Sequence, residues 1–70
     1  MKNTNKYIYY QMGNSYVAGI ITTDYGNYCI YKALETNATT WVIGHKYYAF
    51  LDRVIIADSL EHIDKIRTFQ

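Results

Sequence analysis

Apolar and aromatic residues alternate with polar ones through most of the first fifty positions, and a three-residue repeat replaces that pattern near the end. Segments 6–12, 15–23 and 27–34 are rich in Tyr, Ile, Val and Thr, which suit a pleated, half-buried surface. Gly13-Asn14 and Asp24-Tyr25-Gly26-Asn27 separate them and supply the residues that tight hairpin turns favour. After a polar loop at 35–38, the pattern predicts strands over 39–43 and 46–50, joined through Gly44-His45. The run 53–57 reads as a sixth strand or an earlier helical turn, with the strand preferred because Asp58 then caps a new element.

Leu60, Ile63 and Ile66 fall three apart on one helical face. Asp58 as N-cap, Glu61 in the capping-box position and the Glu61/Lys65 pair together predict a helix over 59–68. The expected fold is therefore α+β: an antiparallel β-meander of about five strands with one C-terminal helix packed on one face. It forms a single small domain over residues 1–70.

Register arithmetic sorts the side chains. A two-residue turn at Gly13-Asn14 sets Met12 against Ser15, Tyr10 against Val17 and Ile8 against Gly19. A turn at Tyr25-Gly26 sets Ile21 against Ile30 and Val17 against Leu34. One face then holds Ile8, Tyr10, Met12, Val17, Ile21, Ile30 and Leu34, the expected seat of the helix. The other holds Tyr7, Tyr9, Gln11, Tyr16, Ala18, Ile20, Thr22, Cys29, Tyr31 and Ala33, which one short helix cannot also cover. Curling into a small barrel would bury one face without a helix. The Gly44-His45 turn similarly sets Trp41 against Tyr48 and Thr39 against Phe50, an aromatic cluster expected in the core.

Composition narrows the class. A chain of 70 residues has a marginal core, burying about 60% of its unfolded surface, so a partner or a second copy is a natural source of extra stability. Cys29 is the sole cysteine, which excludes an internal disulfide and a cysteine-rich zinc site. A net charge of +1 provides no strong field for nucleic acid or anionic membranes. The opening residues lack the apolar stretch of a signal peptide, and the longest apolar runs fall far short of the ~20 residues of a membrane span. The Asn37-Ala38-Thr39 acceptor pattern is discounted for want of a secretory signal. A cytoplasmic location is expected. Abundant Ile, Lys, Asn and Tyr with no Pro resembles the coding bias of low-GC bacteria and their phages.

Candidate chemistry is sparse. Cys29 lies mid-strand with no histidine placed beside it, and reads as a packing residue rather than a nucleophile. His45 falls in a turn and His62 on the helix, so neither forms an acid–base or metal pair. The carboxylates are dispersed, and no phosphate-cradling glycine motif is present. No catalytic residue, cofactor or metal is expected. The nine tyrosines point instead to recognition. Tyr7, Tyr9, Gln11, Tyr16 and Tyr31 form the expected interaction face, and Tyr10 and Tyr48 are assigned to the core. The expected function is non-enzymatic protein binding, as a phage or mobile-element inhibitor of a host or defence protein, anti-CRISPR-like, acting by occlusion or allostery. Two alternatives are a single-stranded nucleic-acid-binding accessory protein and a homo-oligomeric structural protein. Scattered lysines and arginines disfavour the first, and a homodimer fits the second.

Overall fold

Five strands form one antiparallel sheet, in which the fourth, third, second, first and fifth strands of the chain lie side by side in that order. The computed structural model describes residues 3–68. Its elements are β1 (Tyr7–Met12), β2 (Ser15–Asp24), β3 (Tyr28–Thr36), β4 (Lys46–Phe50), a 3-10 turn (Leu51–Arg53), β5 (Ile55–Ala57) and α1 (Leu60–Thr68). An α+β meander with a packed C-terminal helix is thus what forms, and 55–57 is a strand.

The link between β4 and β5 shapes the sheet. These are the two edge strands, which a flat sheet would hold about 19 Å apart at ~4.8 Å per strand. Residues 51–54 must join them, and three of the four lie in the 3-10 turn. At ~2 Å rise per 3-10 residue the link spans only about 14 Å. The sheet therefore curls, and the link crosses its concave face.

That curl closes the first core without the helix. Ile8, Val17, Ile21, Cys29, Tyr31, Ala33, Trp41 and Ala49 are enclosed, with Leu51 and Val54 of the link and Ala38 of the preceding loop packed against them. A second core lies on the convex face, where Ile63 of α1 meets Tyr9, Ala18 and Ala57, flanked by Tyr7, Tyr16 and Leu60. The helix thus covers the tyrosine-bearing face of β1 and β2, not the aliphatic face expected for it. The aliphatic face is already filled by curvature, so the helix stripe takes the only other apolar surface within reach of β5.

Three further expectations are corrected. The β1–β2 register is as expected, with Ile8 against Gly19 and Met12 against Ser15. The β2–β3 register is not. Tyr25 N–H donates to the Tyr28 carbonyl, so the turn centres on Gly26-Asn27, with Gly26 at φ +97° and its N–H held by the Asp24 carboxylate. Ladder irregularities at Ala18/Gly19 and Ile21/Thr23 then set Ile21 against Tyr31. A one-residue displacement inverts every side chain. Cys29, Tyr31 and Ala33 consequently join the aliphatic core, while Ile30 turns to the convex face.

Residues 39–43 form no strand. β4 pairs with β3 rather than with these residues, and the loop folds over the concave face, where Trp41 enters the core. The Trp41 ring meets Tyr10 edge-on at 6.1 Å, and the Val42 N–H donates to the Tyr47 hydroxyl. Trp41 therefore does not pair with Tyr48, nor Thr39 with Phe50. At the helix start, the Ser59 hydroxyl caps the His62 N–H, and Asp58 instead reaches Lys6 at 3.7 Å.

Candidate interaction surface

The residues expected to form an open face are mostly enclosed. Tyr9 is 3% exposed beneath α1, Tyr7 and Tyr16 are half-buried beside it, and Tyr31 is 1% exposed in the opposite core. Gln11 alone is exposed; it accepts the Tyr9 hydroxyl at 2.9 Å and donates to the Gly13 carbonyl. Tyr9, Gln11 and Tyr16 do come together, with the two rings 5.7 Å apart, whereas Tyr31 lies on the other side of the sheet.

Arg67 fastens the helix over this group. Its guanidinium lies 4.6 Å from the centre of the Tyr16 ring, donates to the Tyr16 hydroxyl, and pairs with Glu35 at 3.3 Å. The Tyr16 hydroxyl donates in turn to Glu35. Desolvation and this bond to Glu35 push the Tyr16 phenol above its usual range. The geometry is that of a structural clasp.

The candidate chemical groups are equally enclosed or dispersed. Cys29 is fully buried, and burial, reinforced by the Asp24 charge, raises its thiol, the reverse of an activated nucleophile. Asp24 accepts the N–H groups of Gly26 and Asn3, of which the Gly26 bond lowers its carboxyl most. His45 and His62 are both exposed. Among the described residues no group of three His, Cys, Asp or Glu side chains could hold a metal ion.

The open surface lies elsewhere. α1 packs on the β1–β5 half of the convex face and reaches β3 at Glu35 through Arg67, away from the stretch of β3 that pairs with β4. There the pairs Tyr28–Phe50, Ile30–Tyr48 and Lys32–Lys46 stand in successive rows. Tyr48 is 65% exposed and Phe50 49%, contrary to the core position expected for Tyr48. Their rings meet edge-on at 6.1 Å, and Tyr25 stacks on Tyr28 at 4.8 Å. A cleft of about 820 Å³ opens beside β4, with Tyr10, Trp41 and Tyr47 on one side of the strand and Ile30, Tyr48 and Phe50 on the other. Lys46 and Arg53 also line it, and among the described residues no carboxylate does. Lys46, Tyr48 and Phe50 alternate along the strand and so share a face. Only the pairing with β3 reveals that the face is uncovered.

Comparison with protein-family models, curated proteins and solved structures finds no match to this chain. The surface must be read from its own chemistry.

Proposed function

We propose that this protein is a non-enzymatic binding module that attaches to another protein through the β3–β4 half of its convex face. The observation behind this reading is the pair of exposed rings, Tyr48 and Phe50, standing beside half-buried Tyr28 and Ile30 and an open cleft. Exposed rings contribute large contact area at low entropic cost, and aromatic residues dominate binding hot spots. A small module of this kind inhibits by occlusion, covering a site on its partner. Among the described residues no helix is long and apolar enough to cross a membrane. The proposed setting is the cytoplasm of a bacterial cell, with a phage or mobile-element inhibitor of a host or defence protein as the proposed role, in keeping with the composition.

Site-specific photo-crosslinking in a low-GC bacterial host tests this reading. A photoreactive residue at position 48 or 50 is expected to yield one discrete protein adduct, absent when it is placed at the exposed helix position 61. Equal adducts from all three positions, or none from 48 and 50, would refute it.

A second reading has one observation in its favour. Lys32 and Lys46 oppose one another beside the exposed rings, an arrangement that favours a single-stranded nucleic acid stacked on the sheet. Fluorescence anisotropy with labelled oligothymidylate separates the two, since phosphate-driven binding weakens steeply between 50 and 200 mM salt, by roughly an order of magnitude or more for several contacts.

A further inference from the structure

The same surface has a second property, in its backbone. β4 is an edge strand, paired with β3 on one side only. The Ala33 N–H donates to the His45 carbonyl, and the Leu51 N–H to the Asn27 carbonyl. With the register of this pair, those bonds place the peptide groups of Tyr47 and Ala49 towards β3. The N–H and C=O groups of Lys46, Tyr48 and Phe50 therefore point outwards from the sheet.

Natural sheets protect such edges with proline, bulges, charges or a covering element. β4 contains no proline, its ladder to β3 has no register shift, and its one charge, Lys46, stands at the strand's beginning. The cleft runs along this edge, with aromatic side chains on either side of it. A strand laid against β4 would extend the ladder and send successive side chains alternately to those two sides.

Charge selects the occupant. Lys46 and Arg53 line the cleft, Lys32 stands opposite Lys46, and among the described residues none of the three has an ion-pair partner. Like charges directly opposed on a sheet are destabilising, and a carboxylate beside Lys46 relieves that repulsion. A second copy of the chain would instead bring three more cations to the same edge.

We infer that β4 is a docking edge for an extended acidic segment of a partner protein, added as a sixth strand, with an acidic side chain beside Lys46 and apolar ones beside Tyr48 and Tyr47. This rests on the protein-binding reading above and specifies its mode. The partner's main chain bonds the outward peptide groups at Lys46, Tyr48 and Phe50, and the aromatic residues on both sides read its alternating side chains.

The test pans a phage-displayed random nonapeptide library against the immobilised full chain, then measures synthetic versions of the enriched peptides. Three variants are compared. Tyr48→Pro removes an outward N–H that the β3 ladder does not use, Tyr48→Val removes the ring but keeps the N–H, and Lys46→Glu reverses the charge. The expected result is enrichment of peptides in which an acidic residue adjoins a short apolar run. Their affinity should fall at least tenfold further with Tyr48→Pro than with Tyr48→Val, and at least tenfold with Lys46→Glu.

If Tyr48→Pro fails to fold, N-methylation of the peptide at every second residue takes its place. One alternate set should abolish binding and the other leave it intact. Equal losses for Pro and Val, or equal effects of the two methylation sets, would overturn strand addition while leaving face-on protein binding in place. No enriched peptide, enrichment of basic peptides, self-association that Tyr48→Pro abolishes, or displacement by oligothymidylate would each overturn the assignment of an acidic protein strand.

Discussion

Replacing Tyr31 with serine should nearly abolish the fold, whereas the same change at Tyr48 should leave it almost intact. Tyr31 is 1% exposed and Tyr48 is 65% exposed, although both lie on the β3–β4 pair. A buried tyrosine removes about 150–250 Å² from water, which at ~25 cal/mol per Å² is roughly 4–6 kcal/mol as an upper bound. Truncation of buried aromatics costs about 3–5 kcal/mol once relaxation is included. A domain of this length has a total stability of about 4–10 kcal/mol. Tyr31→Ser should therefore remove most of it, while Tyr48→Ser should change it by less than about 1 kcal/mol. Urea denaturation followed by the fluorescence of Trp41, the only tryptophan and itself buried, measures both. Comparable losses in the two variants, or a larger loss at Tyr48, would show that the side chains of β3 and β4 face the other way.

Three other outcomes follow from the packing. Gly19→Ala should destabilise the protein by about 2–3 kcal/mol in the same urea assay, because the new methyl would lie 2.4 Å from the Lys32 carbonyl oxygen and 2.7 Å from the Tyr31 ring. Tyr31 also gives an alkaline signature, since burial raises its phenol from 10.0 to about 12. The fold favours the neutral phenol, so this group's contribution is complete below pH 10 and is lost as pH rises to about 12, at about 1.4 kcal/mol per pH unit. Tyr31→Phe should flatten the urea midpoint over that window relative to the parent, and an unchanged slope would count against a neutral buried phenol. Finally, Ile63→Ala should cost about 2–4 kcal/mol in the docking of α1, releasing a helix too short to persist alone while the curled sheet stays folded. Hydrogen exchange should then accelerate in residues 60–68 but not in β2 and β3, and uniform acceleration would contradict two separate cores.

Much of the local structure is legible in the residues. Alternating Tyr, Ile and Val predict β1, β2 and β3, Gly13-Asn14 sets the β1–β2 register, and the Leu60, Ile63, Ile66 spacing predicts α1. The candidate surface was only half legible. Lys46, Tyr48 and Phe50 alternate visibly, but their exposure depends on where the helix lands. Tyr7, Tyr9 and Tyr16 look equally available in the chain and are covered.

What the sequence alone determined is therefore periodic and local: which segments extend, which one coils, and which side chains within a strand share a face. Beyond the β1–β2 hairpin, the tertiary structure decided how one segment meets another. A turn centred one residue later, together with the ladder irregularities beyond it, moved Cys29, Tyr31 and Ala33 into the opposite core, because side chains in a strand have only two directions. A short link between the outer strands curled the sheet, so the aliphatic face closed on itself and the helix took the tyrosines. Alternation encodes that a strand has two faces. Which of them is buried, and by what, depends on contacts between residues far apart in the chain.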